Sequence, residues 1–151
     1  MGVELRILRL SSADAPDPLP LPTYATTGAA GLDLSAALRE PLTLQPGARA
    51  LVPTGFALAL PPGHEGQVRP RSGRAWREGL TVLNSPGTVD EDYRGEVSVV
   101  LVNLGQAPVV LRRGDRVAQL VVVPVPRVSV REVSVLDPTE REAGGFGHTG
   151  R

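Results

Sequence analysis

Pro70-Arg71-Ser72-Gly73-Arg74 opens the one helical pattern in the chain. Unpaired N–H groups and the positive end of the dipole make a helix start an anion site. Arg71 can grip a phosphate bidentately, the Ser72 hydroxyl adds a donor, and Gly73 lets the backbone approach closely. Ser-Gly is equally a common way to begin a helix, and Arg a common surface residue. A second stretch, Asn84-Ser-Pro-Gly-Thr-Val-Asp-Glu-Asp-Tyr-Arg-Gly-Glu96, lies between two apolar runs and is longer than a tight hairpin, leaving room for a pocket. Asn84 donates and accepts together, as the edge of a pyrimidine requires. Tyr93 supplies a flat wall, and Asp90 a carboxylate able to act as general base toward water. The plain alternative is three turn acids, Asp90, Glu91 and Asp92, in solvent and a sheet-edge tyrosine.

Three further stretches carry polar groups with two readings each. Asp33, in Gly28-Ala-Ala-Gly-Leu-Asp-Leu-Ser35, either bonds backbone and solvent or helps hold hydrated Mg²⁺, which keeps several waters in nucleotide sites. Gln119 interrupts the apolar strand that follows Gly114-Asp-Arg. It is either bonded to backbone or orients water or phosphate. At the C-terminus Phe146 stands among Gly144, Gly145, Gly147 and Gly150, flanked by Arg141 and Thr149. Such a glycine-rich segment cannot order itself. It is a frayed tail, or an arm that orders over a ligand with a planar ring and an anion. His64 reads as a loop residue and Trp76 as a packing residue.

Composition narrows the classes. The 151 residues include 17 Gly, 15 Pro and five aromatics, and all 16 basic residues are Arg. Leu, Ile, Val and Phe are abundant enough for a folded core. A chain of this length buries about 68–70% of its unfolded surface as one domain. The absence of Cys removes disulfide scaffolds, thiolate zinc sites and cysteine nucleophiles. Sixteen acids cancel the arginines, so no broad nucleic-acid or membrane footprint is expected. The first ten residues have no apolar h-region, and the longest apolar stretch, 117–126, is far short of the roughly 20 residues that span a bilayer. A cytoplasmic protein is expected.

These side chains must be positioned by strands. Period-two patterning predicts strands at 3–10, 32–35, 42–44, 49–52, 57–60, 67–69, 81–83, 97–103, 109–111, 117–123 and 128–135, separated by Pro-Gly, Arg-Gly and Gly-Asp turns. Residues 72–78 read as a short helix with Ser72 as N-cap and Gly79 as stop. No crossover helices fit between the strands. The fold class is therefore all-β, a sandwich, jelly roll or barrel with one short helix. Residues 14–24 form a Pro-rich extended connection. Residues 1–151 make a single domain, of which about 137–151 is a flexible C-terminal arm.

Five segments, in order, resemble the five motifs of the trimeric deoxyuridine triphosphatases (dUTPases): Ala29-Ala-Gly-Leu-Asp-Leu34, Arg71-Ser-Gly73, Gly87-Thr-Val-Asp-Glu-Asp-Tyr-Arg-Gly-Glu96, Gly114-Asp-Arg-Val-Ala-Gln119 and 141–150. The resemblance runs from about residue 23 to the end. It implies a distorted jelly roll, a homotrimer with sites at subunit interfaces, Mg²⁺, and hydrolysis of dUTP to dUMP and pyrophosphate, which lowers dUTP and supplies dUMP for thymidylate synthesis. By the same resemblance Asp90 activates the attacking water, Tyr93 excludes a ribose 2′-hydroxyl, and Asn84 reads uracil, with Thr88 and Val89 of that hairpin also against substrate. Arg71, Ser72 and Gly73 form the phosphate turn, Gln119 lies near the α-phosphate, and Asp33 lies near the hydrated metal. Arg141 matches the γ-phosphate ligand, and Phe146, with Gly147 and Thr149, belongs to the arm that stacks on uracil. The chain departs from the pattern at Glu142, where glycine is common, and at His148, where serine is common.

Two other readings compete. A dCTP deaminase of the same fold carries a glutamate on the strand after the hairpin, where this chain has Val100, and the chain has no zinc-deaminase signature. A non-catalytic trimeric β module would not need Asp90, Tyr93 and a glycine-rich arm together.

Overall fold

The computed structural model describes residues 2–10 and 17–146 of the chain. Ten strands and one helix follow in the order β1 (Arg6–Arg9), β2 (Leu32–Ser35), β3 (Leu42–Leu44), β4 (Arg49–Ala59), β5 (His64–Arg69), α1 (Ser72–Glu78), β6 (Leu80–Val82), β7 (Gly87–Val89), β8 (Glu96–Asn103), β9 (Val109–Leu111) and β10 (Arg116–Pro124). Two four-stranded sheets, β1-β4-β8-β6 and β2-β10-β5-β7, face each other, and β3 pairs with β9 at the side. Every pairing is antiparallel. The result is a distorted jelly roll with one short helix, as the sequence predicts.

The core lies between the sheets and is built from alternate residues of each strand. Leu34, Val52, Val99, Leu101, Leu111 and Leu120 are essentially inaccessible. Leu and Val fill it almost alone; among the aromatics only Phe56 is buried. Two buried polar residues are satisfied locally. Thr54 Oγ1 donates to the Val97 carbonyl at 2.6 Å. Asn103 Nδ2 donates to the Leu44 and Ala107 carbonyls while its Oδ1 accepts from the Gly105 N–H.

Four strand expectations change. Segments 49–52 and 57–60 are one strand, because Gly55, at φ 76°, carries the chain through a bulge where the pairing with β8 shifts register. Only glycine takes that φ freely, so the alternation breaks there while the strand continues. β5 begins three residues earlier than expected. The short β7 was not predicted, since Gly87-Thr88-Val89 is too brief to show a period. Residues 128–135 form no strand: they are exposed and pair with no strand among the described residues.

Candidate active site

β5 ends at Arg69, and Pro70, without an N–H, cannot extend the ladder. Arg71 then takes an extended conformation and is itself the N-cap of α1, so Ser72 is the first helical residue rather than the cap. No side chain caps this end, which leaves the Ser72 hydroxyl uncommitted to capping. Gly79 ends the helix in the left-handed region, as expected.

Strand alternation buries Leu32 and Leu34 and turns Asp33 outward; likewise Gln119 emerges between buried Ala118 and Leu120. The two are register partners across β2 and β10, and Gln119 pairs on its other side with Arg69. Asp33 Oδ1 accepts from Arg71 Nε at 3.0 Å and Oδ2 from Arg116 at 3.1 Å. Gln119 Nε2 donates to the Pro70 carbonyl at 3.0 Å. A Cβ on Gly31 would collide with Gln119 Oε1, so glycine is what makes room for that amide. Register across β2 and β10 and the end of β5 thus bring Asp33, Gln119 and Arg71 together. Among the described residues no three His, Cys, Asp or Glu side chains form a metal-holding group. Asp33, with each oxygen already accepting one bond, retains lone pairs for water, which fits a hydrated Mg²⁺ held by substrate phosphates rather than by a protein cage.

The hairpin between β6 and β8 holds the second group. Its Ser85–Pro86 bond is cis. Asn84 lies against Gly87, whose added Cβ would stand 3.1 Å from Nδ2. Thr88 is exposed opposite Gln67, and Val89 is buried opposite Gly66. Beyond β7 the loop folds on itself: Tyr93 N–H donates to the Asp90 carbonyl at 3.1 Å, and Tyr93 OH donates to the Glu96 carbonyl at 3.0 Å. The Tyr93 ring covers Gly95 so closely that no Cβ fits there. Glu91 is no simple solvated acid, since it accepts from the Gly63 N–H at 2.7 Å and ties the hairpin to the β4–β5 turn. Asp90 is exposed at a cleft of about 220 Å³ shared with His64, Glu65, Asp92 and Arg127.

Within one chain Asn84 and Gly87 lie beside Val68, toward Arg71, but Asp90 does not. The pairing Gly66↔Val89 sets Asp90 beside Glu65, at the start of β5, whereas Arg71 follows its end. Glu65 and Arg69 are about 13 Å apart at roughly 3.3 Å per residue. The third group is separate again. Arg141 Nε donates to the Gly144 carbonyl at 2.7 Å, and Glu142 bonds reciprocally with Thr139, as in a capping box. Phe146 is wholly exposed, at 115% of its reference area. Gly147 and Thr149, with His148, lie outside the described residues.

Sequence reasoning missed Arg116, Gly31 and Gly95. All three stand inside the quoted motifs, but their value lies in what they touch across strands. Trp76 is not a packing residue: it is 90% exposed on α1. His64 opens β5, with Nδ1 2.9 Å from the Pro62 carbonyl.

Fold and site together have the form of a phosphate-handling jelly-roll protein. The dUTPase family model matches residues 17–150. The chain is 58% identical over its whole length to the deoxyuridine 5′-triphosphate nucleotidohydrolase of Anaeromyxobacter sp. (strain Fw109-5), all of which is covered. It is 55% identical to that of Sinorhizobium medicae (strain WSM419), over 97% of this chain and 91% of the relative. In three dimensions it resembles a mutant dUTPase of Staphylococcus bacteriophage 80alpha with dUpNHpp, with TM-score 0.86, 23% identity and coverage of 98% and 99% of the two chains. A mutant dUTPase of phage phi11 of S. aureus, described with a structural Mg(II) ion, matches with TM-score 0.77, 22% identity and coverage of 90% and 100%. The chain belongs to the dUTPase family, and its enzymatic class is that of a dUTP diphosphatase.

Proposed function

We propose that the chain hydrolyses dUTP to dUMP and pyrophosphate by in-line attack of water on the α-phosphorus, in a homotrimer whose sites form between subunits. Asp90 takes the proton from the attacking water as the new P–O bond forms, and the bond to the pyrophosphate oxygen breaks. The supporting observation is the sorting of two carboxylates by their surroundings: Asp33 is bound by two arginines, while Asp90 is exposed on a hairpin beside Asn84 and Tyr93. General-base catalysis of this kind contributes about 10²–10⁴-fold. Positioning and charge neutralisation supply the remainder.

Arg71, Ser72, Gly73 and Gln119 receive the phosphate chain; Asn84, with Thr88 and Val89, reads the base, and Tyr93 walls the sugar. Asp33 would face the water shell of a bound Mg²⁺, which would supply charge neutralisation to the triphosphate. Residues 1–151 act as one domain, with the arm from about 137 bringing Arg141 to the γ-phosphate and Phe146, Gly147 and Thr149 over the uracil. Among the described residues no helix is long and apolar enough to cross a membrane, consistent with a cytoplasmic enzyme that clears dUTP and feeds thymidylate synthesis.

Self-association is supported by three features. Asp90 and Arg71 stand at opposite ends of β5, so a neighbouring copy can bring one toward the other. The outer face of the β4-β8-β6 sheet exposes Leu51 and Leu83 on either side of Val100, the position at which the deaminase reading requires glutamate. Val128 with Val130, and Val133 with Val135, are two exposed pairs of strand-like spacing in a segment that forms no strand.

Pyrophosphate release measured across the deoxynucleoside triphosphates, with Mg²⁺, tests the activity; ammonia from dCTP would favour the deaminase. Turnover in ¹⁸O water is expected to label dUMP. Label in pyrophosphate would overturn attack at the α-phosphorus.

A further inference from the structure

Arg116 opens β10 at a bulge. The pairing with β2 runs Arg116↔Ser35 and then Ala118↔Leu34, so one extra residue is inserted, and Val117 and Ala118 are both buried. Without the bulge, residues 116 and 119 would point to opposite faces of the strand, because side chains alternate with a period of two. With it, Arg116 and Gln119 share the outward face that carries Asp33. Bulges next to a site re-aim a side chain in this way. The Arg116 guanidinium is 3.1 Å from Asp33 Oδ2, while Arg71 Nε is 3.0 Å from Asp33 Oδ1.

One carboxylate between two guanidinium groups leaves a net charge of one positive unit. Asp33 with Arg71 alone would be neutral, and Arg71 could then follow Asp33 into more than one geometry. We propose that Arg116 is a positioning residue of the phosphate site: by holding one oxygen of Asp33 it fixes the other against Arg71, and it keeps the cluster cationic for a polyphosphate. Arg71 spends Nε on Asp33 and keeps both terminal nitrogens for the anion. The proposal rests on the assignment of Arg71 to substrate phosphate.

A double-mutant cycle of Arg116→Gln and Asp33→Asn tests it, read by calorimetric binding of Mg²⁺-pyrophosphate and by kcat and KM for dUTP. Arg116→Gln is expected to weaken pyrophosphate binding and raise KM about tenfold, leaving kcat within about twofold, because charged neighbours in one network couple strongly. Its side chain is 56% exposed, so the unfolding midpoint should hardly move. Arg116→Lys should recover most of the affinity. In the Asp33→Asn background the same substitution should cost less than about twofold, since no carboxylate remains to be held. An equal loss in both backgrounds, no loss in the wild-type background, or a wild-type chain that binds no pyrophosphate overturns the proposal. Failure of wild-type dUTP hydrolysis alone overturns the catalytic reading, because pyrophosphate binding reports on the clamp independently.

Discussion

Asp90 and Arg71 lie at opposite ends of strand β5, one beside Glu65 and the other past Arg69. The proposed homotrimer brings the base of one copy to the phosphate clamp of another. Asp90→Asn and Arg71→Ala proteins, each inactive alone, should therefore regain activity when unfolded, mixed and refolded together. In a closed ring with head-to-tail interfaces, random assortment leaves roughly a quarter of the sites intact. Recovery near a quarter of the wild-type rate is the expected result. No recovery at any mixing ratio would mean that both residues act within one chain.

Asp90→Asn keeps the size of the side chain and removes its basicity. Because Asp90 is exposed, the fold and the KM for dUTP should be preserved. Single-turnover measurements should show hydrolysis slowed at least a hundredfold, within the range of about 10²–10⁴ for a lost general base. Near-normal turnover would remove Asp90 from that role.

Phe146 is fully exposed among the described residues. Phe146→Ala should leave the unfolding midpoint unchanged and raise KM for dUTP by about tenfold or more, since stacking on a base is worth about 1–3 kcal/mol. An unchanged KM would return the arm to the status of a frayed tail.

Gly31 is the floor under Gln119. Gly31→Ala should force the amide away from the Pro70 carbonyl, at a cost of about 1–3 kcal/mol of stability for overpacking, and kcat/KM should fall. In a Gln119→Ala chain only the Cβ of residue 119, 3.1 Å away, still meets the new methyl, so the same substitution should cost less. Thermal melts and kinetics of the two pairs should therefore differ, and equal effects in both would show that the contact is incidental.

The glycine and proline punctuation, the period-two alternation and the lack of crossover helices were enough to call an all-β sandwich, because those signals are local. The order of five motifs was equally legible, and the strands at 32–35, 42–44 and 109–111 lie where the pattern predicts. Local signals failed where partners decide. Gly55 lets one strand absorb two apolar runs by taking a positive φ inside a bulge. Residues 128–130 and 133–135 alternate like a strand, yet a strand exists only with a neighbour, and the described residues offer none. Trp76 has the composition of a core residue but sits on a helix with no buried residue. Sequence alone nominated the side chains proposed to carry chemistry. Only the tertiary structure decided how they are grouped, because register across β2, β10 and β5 unites Asp33, Gln119 and Arg71 while the length of β5 holds Asp90 away from them. Register and separation are properties of strand pairing, and no single strand's residues specify them.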